Sequence, residues 1–332
     1  MRAQVLGAPA PVATRPLELV ERAKPEPRPG EVRVAVSACG CCRTDLHVVE
    51  GDLELPLLPV TPGHQVVGRV DALGAGSTRF ALGDRVGVTW LHRTDGECGY
   101  CRRGEENLCE SADFTGWTVD GGYAERIVAP RAFTFPIPDR FSDLEAAPLL
   151  CAGIIGYRSL RLSGIRPGGR LGLFGFGSSA HLAIQVAIHE GAEVLVFSRS
   201  QAELARAQEL GASWVGGYDE QPPAPLDAAV TFAPAGSVVV SALTALAPGA
   251  TVAINAIHLD RMPSFDYDLL WKSRSLRSVA NFTRRDALEF LDVAARIPIR
   301  PQVQEFPLER AGEALDALEQ GTLDGTAVLA VS

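Results

Sequence analysis

Two periodicities divide the chain. In residues 1–150 apolar positions recur in twos: Val32, Val34 and Val36 alternate with more polar neighbours, and residues 66–73 form a second β-rich run. Pro25, Pro27, Pro29, Gly30, Pro56, Pro59, Pro62 and Gly63 punctuate these runs. The pattern predicts a β-rich domain with long loops and few helices. From Arg170 the pattern changes. Strands are predicted at 170–174, 193–197, 214–215, 228–232, 251–254 and 276–279, with helices at 179–190 and 201–210, the second closed by Gly211. Strand–helix alternation at this spacing predicts parallel βαβ units and a doubly wound sheet, so the fold class is α/β. Ala287, Phe290, Leu291 and Ala294 are spaced for a helix over 286–296, as are Ala311, Ala314, Leu315 and Leu318 over 309–319. The β-type run 326–331 is expected to return to the first domain.

Composition narrows the function classes. The chain has 332 residues, 46% hydrophobic and 21% charged, which suits about two globular domains. No apolar stretch of ~18 residues exists, which argues against a membrane helix. Net charge is −9 with no basic block, which argues against nucleic acid as a partner and leaves a small molecule. The first residues lack a long apolar core with a small-residue cleavage site, so a cytoplasmic location is expected. Seven cysteines, an odd number, fit reduced thiolates better than a disulfide framework.

Three motifs carry chemistry. Gly175-Phe176-Gly177-Ser178-Ser179-Ala180 is a G-x-G-x-x-A turn between a predicted strand and a predicted helix. Its glycines allow close approach of a pyrophosphate, and the helix N-terminus favours that negative charge. At the end of the next strand, Ser198, Arg199 and Ser200 stand where an acid would select NAD. Hydroxyls and a guanidinium there favour the 2′-phosphate of NADP(H) over NAD(H), unless Arg199 faces solvent. The second motif is Asp95, Cys98, Cys101 and Cys109, spaced D-x₂-C-x₂-C-x₇-C. Three cysteines on a Gly-rich turn indicate a structural metal lobe, with a carboxylate as fourth ligand. The third is the cluster of Cys39, Cys41 and Cys42, with His64 and Cys151 as distant companions. Two thiolates and one imidazole would leave one position open on a catalytic zinc.

The ordered co-occurrence of these segments resembles the zinc-containing alcohol dehydrogenases of the medium-chain dehydrogenase/reductase superfamily, in their bacterial size class, along nearly the whole chain. It rests on Cys42-Arg43-Thr44-Asp45-Leu46-His47, Pro62-Gly63-His64, the cysteine lobe, Leu149-Leu150-Cys151-Ala152-Gly153 and the turn at Gly175. The resemblance implies a GroES-like catalytic domain (residues 1–150 and 282–332) and a Rossmann dinucleotide-binding domain (151–281). It implies Cys42, His64 and Cys151 as catalytic zinc ligands and Cys39 and Cys41 as packing thiols. Thr44 and His47 become a proton relay, and Asp45 the carboxylate orienting His64. Arg43 and Arg284 become pyrophosphate contacts, and Trp90 a wall of the substrate pocket. Phe114, Trp117, Leu53, Leu55 and Leu57 are further candidates for that wall or for plain core. A homodimer or homotetramer, joined through the cofactor domain, is also implied.

Three positions depart from the family pattern. Gln65 replaces a glutamate beside His64, Asp95 replaces a structural cysteine, and Ile155 replaces a threonine expected to face the nicotinamide. The expected reaction is hydride transfer between an alcohol and an aldehyde or ketone. Gln65 and Ile155 keep open a biosynthetic reductase of an activated C=C or C=N bond. A non-catalytic NADPH-binding protein is the third possibility, disfavoured by the complete set of site residues.

Overall fold

The computed structural model describes residues 1–331 apart from 77, 257 and 258. The chain divides into two compact units. Met1–Cys151, Thr283–Ala295 and the chain from Arg300 form the first. Ala152–Phe282 and Arg296–Ile299 form the second.

The first unit is built on a seven-stranded sheet. Its order is Val303–Pro307, Thr326–Ala330, Glu31–Gly40, Gln65–Leu73, Arg85–Val88 and Thr134–Pro136, with Arg126–Pro130 also pairing with Glu31–Gly40. Val32, Val34 and Val36 are fully buried, as their alternation requires. The terminal strand lies antiparallel to Glu31–Gly40, with Leu329 opposite Cys39, so it does return to the first unit. Among the described residues of the first 150, Gly99–Arg102 and Asp143–Ala146 are single turns, and the longest helix that the sequence pattern did not predict is Arg43–Glu50. It starts at Cys42, whose backbone N–H donates to Asp45 Oδ2 at 2.8 Å, and it ends at Gly51 in the left-handed region (φ 80°).

The second unit is a six-stranded parallel sheet. Its order is Trp214–Gly216, Glu193–Phe197, Arg170–Phe174, Ala228–Thr231, Thr251–Ile254 and Ser275–Ser278. The strand order reverses between Arg170–Phe174 and Ala228–Thr231, the switch point of a doubly wound sheet. Observed strands and helices lie within about two residues of those predicted, the usual uncertainty of element ends. Two helices, Ala152–Ser163 and Gly236–Thr244, were not predicted. On one face Phe174, Ala229, Val252 and Ile254 pack with Val239 and Leu243 of helix Gly236–Thr244. On the other, helices Ala152–Ser163 and Ser178–His189 pack closely: a Cβ on Gly156 would meet Ser179 O at 2.9 Å. Among the described residues no helix is long and apolar enough to cross a membrane.

Candidate active site

Three ligand atoms from separate segments of the first unit converge. Cys42 Sγ lies at the start of helix Arg43–Glu50, His64 just before strand Gln65–Leu73, and Cys151 at the end of a short 3₁₀ turn. Their ligand atoms all lie within 4.8 Å of one another, and Cys42 Sγ is 3.3 Å from His64 Nε2. Asp45 stands behind them, 2% exposed. Its Oδ1 accepts from His64 Nδ1 at 3.0 Å, and its Oδ2 accepts from Cys42 N. The same carboxylate therefore caps the helix carrying one ligand and sets the tautomer of another.

The electrostatics follow from these contacts. A hydrogen bond from Cys151 pulls the Cys42 thiol well below its ordinary value against the cost of burial, with help from His64. Cys151 moves up as its counterpart. Burial alone would depress His64, but Asp45 and the Cys42 thiolate outweigh it and raise the imidazole to about 10. Such a cluster of two sulfurs and an oriented imidazole suits a borderline-soft divalent cation, and zinc fits the donor set. Cys39 and Cys41 are buried and outside the group.

Neighbouring side chains shape the approach. Trp90 meets the His64 ring edge-on with centroids 5.0 Å apart and stacks on Trp117 at 5.7 Å, while Phe114 touches both indoles. Leu53, Leu55 and Leu57 pack with Trp117 against the hydrophobic core. Thr44 is buried, and His47 Nδ1 is held by Asp52 at 2.8 Å. Gln65 is fully buried, and neither atom of its amide has a hydrogen-bond partner among the described residues. A side chain at Gly40 would press on that amide at 3.0 Å.

The second cysteine cluster also assembles. Asp95, Cys98, Cys101 and Cys109 bring one ligand atom each within 4.8 Å of the others. Asp95 Oδ1 accepts from Glu97 N and Cys98 N at 2.8 and 2.9 Å, which holds the carboxyl below the usual carboxylate range. Glu106, between Cys101 and Cys109, binds Arg284 through Nε (2.9 Å) and Nη2 (2.6 Å), and Arg284 lies over the Phe133 ring. Arg43 is exposed and paired with Glu319 at 3.2 Å.

In the second unit Gly175 (φ 90°) closes strand Arg170–Phe174, and Ser178 opens the following helix. A Cβ on Gly175 would approach Ala233 N to 2.7 Å, so only glycine fits. Helix Ser178–His189 thus begins on the Gly175–Ala180 turn as the motif requires. At the next strand end the structure adds two residues that sequence spacing missed. Ser198 Oγ donates to Glu203, and Ser200 Oγ caps helix Gln201–Glu209 by accepting from Glu203 N at 3.3 Å. Burial first and Glu203 second raise the Tyr218 hydroxyl, while Arg199 and Ser198 act against them. Ser198, Ser200 and Glu203 are thus tied by hydrogen bonds, Tyr218 lies within electrostatic reach of them, and Arg199 is exposed.

Residues 28–139 match the alcohol dehydrogenase GroES-like domain. Over 337 aligned positions the chain is 49% identical to a probable alcohol dehydrogenase, AdhA, of Mycobacterium tuberculosis (strain CDC 1551 / Oshkosh), covering 100% of this chain and 97% of the relative. The chain belongs to the zinc-type medium-chain alcohol dehydrogenase family. Two solved structures agree in fold. A crystal structure of an NAD-dependent alcohol dehydrogenase superposes with a TM-score of 0.90 at 29% identity, over 100% of both chains. A cobalt- and zinc-bound thermostable alcohol dehydrogenase from Pyrobaculum aerophilum does so at 0.88 and 27%, over 100% of this chain and 99% of that one. The dehydrogenase is thus an alcohol/aldehyde oxidoreductase with a GroES-like and a Rossmann part, and NAD(P)H is its hydride carrier.

Proposed function

We propose that this dehydrogenase is zinc-dependent, interconverts primary or secondary alcohols with aldehydes or ketones, and prefers NADP(H). The convergence of Cys42, His64 and Cys151 on one point, with Asp45 behind them, carries the reading. In it the first unit is the catalytic part and the second the dinucleotide-binding part, and the chain assembles as a homodimer or homotetramer. When bound, zinc supplies Lewis acidity toward an alcohol or carbonyl oxygen, and the nicotinamide supplies or takes the hydride.

The chain's own residues do the rest. Asp45 keeps His64 Nδ1 protonated, so Nε2 remains the ligating nitrogen. Thr44 accepts the substrate hydroxyl proton as it gives up its own, and His47, held through Nδ1 by Asp52, carries that proton on toward solvent. Trp90, Phe114 and Trp117 exclude water and favour an apolar substrate. Backbone N–H groups of Gly177, Ser178, Ser179 and Ala180 receive the pyrophosphate. Arg199, Ser198, Ser200 and Tyr218 take the 2′-phosphate, with Glu203 opposing them by charge. Asp95, Cys98, Cys101 and Cys109 take a second, structural zinc.

The test is metal analysis with a substrate panel run on both cofactors. Two zinc ions per chain, turnover of simple alcohols and aldehydes, and a tenfold or greater kcat/KM for NADPH over NADH are expected. Turnover confined to conjugated C=C or C=N substrates would favour the reductase reading. Full turnover in Cys42→Ala with one zinc fewer would overturn the zinc mechanism.

A further inference from the structure

Two polar atoms at the carboxyl end of the parallel sheet have no partner among the described residues. Asn255 Nδ2 and Thr231 Oγ1 are both buried and make no hydrogen bond. Native chains rarely leave such groups unmet without a functional reason. The two residues end adjacent strands. Asn255 N donates to Thr231 O at 2.9 Å, extending the pairing of Ala228–Thr231 with Thr251–Ile254 by one residue.

They do not share a face. Thr231 stands opposite Ile254 and two residues beyond Ala229. Ala229 and Ile254 belong to the apolar cluster under helix Gly236–Thr244, so alternation places the Thr231 hydroxyl on that dry face. Asn255 follows Ile254 and turns to the opposite face, which helix Ala152–Ser163 covers. Asn255 as a whole is half-buried with its Nδ2 covered, and it comes just after Ile254, the last residue of its strand, at the carboxyl edge of the sheet.

The position relative to the switch point selects a ligand. A dinucleotide lies across the point where strand order reverses, one nucleoside half on each side. Ser198 ends the strand next to Arg170–Phe174, on the adenosine side of the reversal. Asn255 ends a strand on the other side, where the nicotinamide half belongs. The ring's carboxamide offers a carbonyl oxygen, the acceptor that an unpaired NH₂ lacks. The geometry points to Asn255 as a binding residue for the nicotinamide carboxamide, its Nδ2–H donating to the carboxamide oxygen and fixing the ring's rotation. This rests on NAD(P)H being the hydride carrier. A substrate carbonyl has the same acceptor chemistry, so binding is measured without substrate and again with a saturating aldehyde analogue.

The experiment compares Kd values for NADPH and NADH with those for ADP-ribose and 2′-phospho-ADP-ribose, which lack the ring, by fluorescence titration of the zinc-loaded enzyme. Asn255→Leu is expected to weaken both dinucleotides about tenfold and to change the ring-less ligands less than twofold. Asn255→Ala should do the same and serves where the larger side chain unsettles folding. Thr231→Val, altered on the dry face, should leave all four Kd values unchanged. An equal loss for ADP-ribose and NADPH, or no loss for either, overturns the assignment while leaving the cofactor reading intact. A loss seen only with the aldehyde analogue present also overturns it, in favour of the substrate. A parent enzyme that binds neither dinucleotide overturns the cofactor reading and the assignment with it.

Discussion

Asp45→Asn separates charge from shape at the metal ligands. The parent carboxylate accepts two hydrogen bonds from opposite sides, from His64 Nδ1 at 3.0 Å and from Cys42 N at 2.8 Å. Asparagine has the same outline but one acceptor and one donor end. If its oxygen faces His64, its NH₂ meets the Cys42 N–H, and the helix start that carries Cys42 loses its cap. If its NH₂ faces His64, the imidazole must accept at Nδ1 and carry its proton on Nε2, the nitrogen that would bind metal. Either way one ligand is degraded. Supporting partners of this kind are worth about 10–100-fold in metal affinity. A buried unmatched donor adds about 1–3 kcal/mol of destabilisation. Competition with a chromophoric chelator reads the zinc Kd, and calorimetry reads the stability. A variant with zinc Kd within twofold of the parent and an unchanged Tm would refute the claim that Asp45 organises the site.

Cys101→Ser is expected to lower Tm by roughly 5 °C before it affects turnover, since it opens the lobe and not the Cys42 site; the same chelator should then lower the Tm of the parent and have no further effect at the lobe of the variant. His92 is buried beside Thr115 Oγ1, and burial pushes its pKa down to about 4. Its unfolded state takes up the proton near 6.5, so the folded state loses stability as pH falls from 6.5 to 4, by about 3 kcal/mol, and the pH–stability curve of His92→Gln should lack that fall while the parent's shows it. Ser198→Asp combined with Arg199→Gly should reverse the NADPH/NADH ratio of kcat/KM, because it removes the attraction for the 2′-phosphate and adds repulsion. Glu203→Gln should raise that ratio in the parent; an unchanged ratio in both variants would place the discrimination elsewhere.

What the sequence disclosed and what it withheld have physical causes. Alternation at Val32, Val34 and Val36 is itself the burial pattern, and an apolar run such as 170–174 is what a strand covered on both faces must be, so those strands are legible. Helix Arg43–Glu50 was hidden because its cap is a cysteine and its body carries Thr44, Val48 and Val49, weak helix formers held by packing. Metal chemistry restricts residue type and so pointed to the cysteine cluster, His64 and Cys151, and the family resemblance then separated Cys42 from Cys39 and Cys41. Asp45 and Trp90 were named with them through the same resemblance, but Asp52, Glu203 and Tyr218 were not, because any Glu, Asp or Tyr serves as a partner once a turn brings it near. Glu203 reaches Ser198 only because Ser200 starts a helix between them, and Asp52 reaches His47 only because the helix ends at Gly51.

Gln65 shows the same division within one residue. Its identity is plain in the sequence, but its meaning depends on surroundings that only the fold reveals. The amide sits fully buried with no hydrogen-bond partner among the described residues, and it lies against Gly40. A carboxylate there would be a second buried negative charge in the site that holds Asp45, with no described hydrogen-bond donor to offset its desolvation. Glutamine keeps the shape and avoids that charge. The cost is two unmet hydrogen bonds, a smaller penalty than an unpaired buried ion, so the neutral residue is the one the apoprotein fold tolerates better.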